Sequence, residues 1–231
     1  MQRCAWCSDD PLYIQYHDRE WGVPSRDSRH LFEMLILEGF QAGLSWLTVL
    51  RKREAFREAL LGFDPRALAR VDEAWIDARM RDPSIIRNRL KLRAARTNAQ
   101  AWLVLPDPVG LVWSFTGGRP RIHCYAPGDD IPVAGPEAQA MSRTLVRAGF
   151  KFVGPTICQS YLQAVGCLMD HTTDCHRHAV LAAGIDGAAG ASAGRTAANA
   201  GKSAGGGNAD SGDAGAGTRP GTAADASGDA P

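Results

Sequence analysis

The strongest constraint on this 231-residue chain is the point where its aromatic residues stop. All 17 aromatics, all six cysteines and all six histidines fall in residues 1–178. Residues 179–231 hold 13 of the 25 glycines, with alanine, serine, threonine and scattered aspartate making up most of the rest. Such a stretch has nothing to bury against the entropy of ordering. The sequence therefore predicts one globular domain over residues 1–178 and a disordered Ala/Gly-rich tail over 179–231. A domain of that length can bury a proper core, and a two-domain enzyme is excluded.

The predicted domain carries 23 Lys+Arg against 20 Asp+Glu, a surplus too small to imply a nucleic-acid partner by itself. No apolar run reaches the roughly 18–20 residues of a membrane span. Residues Met1 to Cys7 lack the apolar core of a secretory signal. These features predict a cytoplasmic protein with no membrane contact. In that compartment the cysteines are thiols or metal ligands rather than disulfides.

The pattern along the domain is helical, and strand signals are scarce. Ser28 is placed to cap a helix through Leu31, Phe32, Met34, Leu35 and Leu37, ending at Glu38, with Gly39 and Gly43 bracketing a turn. Ser45 is placed to cap one further helix whose apolar face is Trp46, Val49, Leu50, Phe56 and Leu60, ended by Gly62. Asp64-Pro65 opens another. A longer basic helix, with Arg87, Arg89, Lys91, Arg93 and Arg96, follows Pro83-Ser84 and runs to about Leu105. It reads either as a solvated, partly ion-paired face or as a phosphate track. Residues 117–135 read as a long loop. An amphipathic helix stops at Gly149, a turn holds Val153-Gly154-Pro155, and a new helix starts at Thr156. Glycine there lets backbone N–H groups approach a phosphate at a helix N-terminus.

Two constellations can carry chemistry. Cys4 and His17 near one end of the domain, with His171 and Cys175 near the other, supply two sulfurs and two imidazoles. That set suits a closed, structural tetrahedral zinc site. Cys7, His176 and His178 compete for the same positions, and Asp170 can either orient a ligand histidine or sit in solvent. The second constellation is aromatic. Trp6, Tyr13, Tyr16, Trp21 and Trp46 lie within 41 residues of one another and flank Glu38. A carboxylate after Leu35-Ile36-Leu37 is costly to bury unless paired or used. Rings plus one carboxylate suit a planar, hydrogen-bonding or cationic ligand.

The runs Arg3-Cys4-Ala5-Trp6, Asp10 to Pro24, Leu31 to Trp46, Ile85-Ile86-Arg87, Val112 to Phe115 and Gly149 to Cys158 closely resemble the 3-methyladenine DNA glycosylase I family. The likeness spans residues 3 to about 175. It implies an all-α helix-hairpin-helix glycosylase fold and excision of N3-methyladenine from alkylated double-stranded DNA by a monofunctional, monomeric hydrolase. By family pattern, Cys4, His17, His171 and Cys175 match structural Zn2+ ligands joining the ends of the domain. Glu38 and Tyr16 match residues that hydrogen-bond the base, with Glu38 the catalytic candidate. Trp46 matches the ring that stacks on it, and Trp6 and Trp21 shape the pocket. Lys151, Val153 and Gly154 of the hairpin are the expected DNA contacts, and Leu44 is the candidate wedge into the space the base leaves.

Overall fold

The structure, a computed structural model, describes residues 1–185, and these residues are predominantly helical. The elements follow from local chemistry. Asp10 caps α1 (Pro11–Arg19) by accepting the Leu12 N–H, with proline at the first helical position. Asp27 caps α2 (Ser28–Gln41) through the His30 N–H. The expected cap, Ser28, is therefore the first helical residue, and the aspartate before it makes the bond. Glu38 is not at the end of this helix but inside it, because the helix continues through Gly39 and Phe40 to Gln41.

Ser45 caps α3 (Trp46–Leu50) as expected, accepting from the Thr48 N–H. The single helix expected from Trp46 to Leu60 is two, since the chain breaks at Arg51-Lys52 before α4 (Arg53–Ala59). A 3-10 turn (Leu61–Phe63) leads to Asp64, which caps α5 (Pro65–Leu68). Asp72 caps α6 (Glu73–Arg79), an element the sequence reading did not anticipate. The basic helix, α7 (Arg89–Val104), starts at the Asn88 cap rather than at Pro83-Ser84. Asp107-Pro108 opens α8 (Pro108–Ser114).

The segment expected to be loop contains a two-residue strand, β1 (Arg121–Ile122), which pairs in parallel with β2 (Leu168–Met169). Between them run α9 (Pro136–Arg147) and α10 (Pro155–Ala164). Gly149, at φ +92°, ends the first of this pair as expected. The second begins at Pro155 with Gly154 as its cap, one residue before the expected Thr156.

The central element is α2, buried from Leu31 to Phe40 and packed against α3, α7, α8 and α10. The end of α10 is pinned to the chain between α1 and α2. Gly22 N–H donates to Gln163 O and Ser25 N–H to Val165 O. Gly166, at φ +72°, passes so close to the backbone of Val23 and Pro24 that no Cβ fits there. Tyr16, Trp21, Glu38 and Trp46 are thereby gathered beside α10.

The expected domain boundary at residue 178 falls inside a helix. Residues 176–185 are helical and Leu181 is buried. The rest of the expected tail lies outside the described residues. No described helix is long and apolar enough to cross a membrane. A chain ended after residue 185 is expected to keep its melting temperature, because the remaining sequence has no aromatic to bury. A drop of several degrees on that truncation would show that the later residues pack on the domain.

Candidate functional site

A cavity of about 340 Å³ opens where α1, α2, α3 and α10 meet, within the range of small-molecule sites. Trp6, Tyr13, Tyr16, Trp21 and Trp46 form its aromatic wall. Trp6 meets Trp21 edge-on at 4.8 Å and Tyr13 at 5.1 Å, and Tyr16 lies 5.3 Å from Trp46. The five aromatics expected to cluster are thus brought together, and Glu38 joins them from α2.

Glu38 is 2% exposed, and its Oε2 has no hydrogen-bond partner among the described residues. Burial alone pushes its carboxyl up to about 8. The Nε1 atoms of Trp6 and Trp46 are also buried without partners. Native interiors rarely leave such groups unsatisfied. Three such groups face one aromatic cavity, where water or a ligand can supply the missing partners. The π faces and the carboxylate favour a flat, positively charged, hydrogen-bonding group.

The opposite wall is the face of α10 bearing Thr156, Gln159, Ser160 and Gln163. Gln159 Oε1 accepts the Gly135 N–H at 2.9 Å. Gln163 Nε2 donates to Asp170 Oδ2 at 2.7 Å, and that buried carboxylate also accepts from His123 Nδ1 at 2.6 Å. Asp170 therefore neither orients a cluster histidine nor sits in solvent. It holds the amide of a cavity residue.

The second site is the Cys/His cluster. Cys4, His17, His171 and Cys175 are all buried, with their ligand atoms within 4.8 Å of one another. Cys175 Sγ lies 3.5 Å from His17 Nε2 and 3.4 Å from His171 Nδ1, and Cys4 Sγ lies 3.4 Å from His171 Nδ1. Zn–S and Zn–N bonds at a tetrahedral angle give an S···N edge of roughly 3.5 Å. The outer ring nitrogens are satisfied. His171 Nε2–H donates to Trp21 O at 3.0 Å, and His17 Nδ1–H donates to Asp18 Oδ1 at 2.7 Å. Those bonds leave Nδ1 of His171 and Nε2 of His17 as lone pairs facing the sulfurs. Burial holds His171 at about 4 and lowers His17, so both rings are neutral at pH 7. The competitors are not among the four clustered residues, although the His176 ring lies 6.0 Å from that of His17. Cys7 faces Ser8 O, His176 binds Gln2 O and His178 binds His123 O.

The hairpin joins α9 to α10. Lys151 is exposed and Val153 is buried, so only the backbone of Val153 can reach a partner. Neither the Val153 nor the Gly154 N–H has a backbone partner among the described residues. Leu44, 42% exposed, sits on the turn between Gln41 and Trp46, both of which line the cavity.

The family model for methyladenine glycosylases matches residues 6–178. The chain belongs to that family. Among members, the DNA-3-methyladenine glycosylase 1 of Escherichia coli K12 is 47% identical over 179 residues, covering 76% of this chain and 96% of that protein. A crystal structure of a 3-methyladenine DNA glycosylase I superposes with TM-score 0.75 at 49% identity, covering 77% of this chain and all of the other. The Staphylococcus aureus member, described for its recognition of 3-methyladenine, gives 0.74 at 38% identity, over 77% of this chain and 97% of its own. The helical glycosylase fold is thereby established.

Within this family fold, sequence reasoning missed Gln41, Gln159 and Gln163. The last two stand four residues apart on one face of α10, a spacing that also fits an ordinary solvated face. The long-range bonds to Gly135 and Asp170 are what mark them, and no local signal announces those.

Proposed function

We propose that this chain excises 3-methyladenine from alkylated double-stranded DNA. The observation that carries this is the unpartnered, buried Glu38 carboxyl in an aromatic cavity, within a family whose members are named for that base. Methylation at N3 leaves the base positively charged and ready to depart. Water adds to the sugar C1′, the electrons of the glycosidic bond return to the base and cancel its charge, and one water proton is released. The leaving base needs no proton, so Glu38 acts by charge and hydrogen bonding rather than as an acid. Tyr16 reads the base beside it, Trp46 stacks on it, and Trp6 and Trp21 close the wall. A damaged base also stacks less well and flips more readily. No lysine lines the cavity among the described residues, consistent with a monofunctional hydrolase.

In the same reading the fold is of the helix-hairpin-helix type. Lys151 and the N–H groups of Val153 and Gly154 meet a phosphate, and Leu44 wedges into the duplex. Cys4, His17, His171 and Cys175 would hold Zn2+. When bound, it supplies the positive charge that lets buried thiols ionise, and it ties the ends of the domain together.

Release of 3-methyladenine from methylated duplex DNA, with an abasic site left behind, tests this reading. Absence of base release overturns it. The pH profile has a stated sign. Free Glu38 ionises near 8, and only the carboxylate attracts the cationic base. kcat/KM should therefore rise with pH and level off above about 8, since it reports the free enzyme. The profile of kcat should level off at lower pH, because the bound cation favours the ionised form. A flat kcat/KM from pH 6 to 9 contradicts this role.

A further inference from the structure

The arginines of α7 are ion-paired, while Arg87 just before the helix is exposed. Arg89 pairs with Asp77, and Arg93 and Arg96 pair with Glu73. Lys91 behaves differently from its neighbours. It is 6% exposed, and no carboxylate pairs with it among the described residues. Its Nζ donates to Phe40 O at 2.8 Å and to Ala42 O at 2.7 Å. Both carbonyls lie in the last turn of α2 and its cap, where a helix leaves acceptors without partners and favours a cation. Seven residues on, Asn98 engages both backbone groups of Lys151. Its Nδ2 donates to Lys151 O at 3.0 Å and its Oδ1 accepts the Lys151 N–H at 2.7 Å. Between these two anchors, Ala94 and Ala95 face Gly39 and Phe152 across a gap of about 10 Å³. Phe152 packs at van der Waals distance over Gly39, its Cβ 3.4 Å from where a Cβ would stand.

We propose that Lys91 and Asn98 make α7 a brace that fixes the distance between the Leu44 turn and the Lys151–Gly154 hairpin. Both are positioning residues, and neither lines the cavity. The inference rests on the reading of that turn and that hairpin as DNA-facing. Two contacts engage one duplex together only if their separation is set in advance. A turn that must be ordered on binding loses affinity instead.

Lys91→Met keeps most of the side-chain volume and removes the donor. On duplex carrying 3-methyladenine its KM should rise at least tenfold, with kcat and the affinity for free 3-methyladenine each within twofold of the parent. Asn98→Ala should move KM in the same direction, and Lys91→Arg should recover most of the loss. Leu44→Ala should weaken duplex binding in the parent and add little in the Lys91→Met background, since the unheld turn has already lost the wedge. The brace is refuted if Lys91→Met lowers only the melting temperature, if the Leu44 and Lys91 losses add in full, or if free-base affinity falls in step with KM. Should Lys91→Met not fold, Asn98→Ala with Leu44→Ala completes the same cycle. If the parent releases no 3-methyladenine, the proposed activity has failed. The cycle is then read on affinity for a duplex with an abasic site, where additive losses still refute the brace.

Discussion

A Cys4→Ala chain is expected to lose its metal and about 10–20 °C of melting temperature. The four ligand atoms join parts of the chain 158 and 167 residues apart. Closing a loop of that length removes about 5 kcal/mol of unfolded-state entropy. For a domain of this size each kcal/mol is worth about 2–4 °C. Chelation of the parent should produce the same fall. Base release well below the transition should survive, because none of the four ligands lines the cavity. Cys7→Ala is the control, since its thiol faces Ser8 O outside the cluster, and it should keep both metal and melting temperature. Metal analysis with thermal denaturation decides the matter. One zinc per chain is expected in the parent and none in Cys4→Ala. A Cys4→Ala chain with full metal content, or a parent that melts identically with and without chelator, removes the assignment.

How much could be read without the structure depended on how local each cause was. Ser45, Asp64-Pro65 and Gly149 act within one helical turn, and each does what its residue type predicts. Asp107-Pro108 carried the same signal as Asp64-Pro65 and opens α8 in the same way. The end of α2 was misjudged because a glutamate followed by glycine looks like a helix end. Gly39 instead lies inside α2, packed near Phe152 of a hairpin more than 100 residues away. The pairing of β1 with β2 likewise has no local cause. The candidate site divides along the same line. Glu38 stands out because a carboxylate after an apolar run is costly to bury, whereas the roles of Tyr16 and Trp46 were legible only through the family resemblance. Gln159, Gln163 and Lys91 do not stand out, because glutamines on a helix and lysines in a basic run are common. Their roles come from Gly135, Asp170, Phe40 and Ala42, partners that only the fold brings near.

Glu38→Gln is expected to trade function for stability, and both effects have a definite sign. In the unfolded chain the carboxyl ionises near its ordinary 4.5, while in the cavity burial raises it to about 8. Between those values the folded state holds a proton that the unfolded state has released. The parent therefore loses stability as pH rises from about 4.5 to about 8, by up to about 1.4 kcal/mol per pH unit. Glutamine keeps the shape and never ionises. Its buried amide offsets part of the gain, because it too lacks a partner, leaving the variant about 1–3 kcal/mol more stable at pH 7. Below pH 4.5 the ionisation contribution vanishes. Binding moves the other way. Without the charge, duplex carrying cationic 3-methyladenine should bind about 1–3 kcal/mol more weakly, the range of a charge-assisted hydrogen bond. Undamaged duplex should bind almost unchanged, because that affinity rests on phosphate contacts. The rise of kcat/KM through pH 8 should disappear with the carboxyl. Melting curves from pH 4 to 9, alongside titrations with damaged and undamaged duplex, separate the two effects. A Glu38→Gln chain that excises as well as the parent and tracks its melting temperature across that range would leave Glu38 with no role in the cavity.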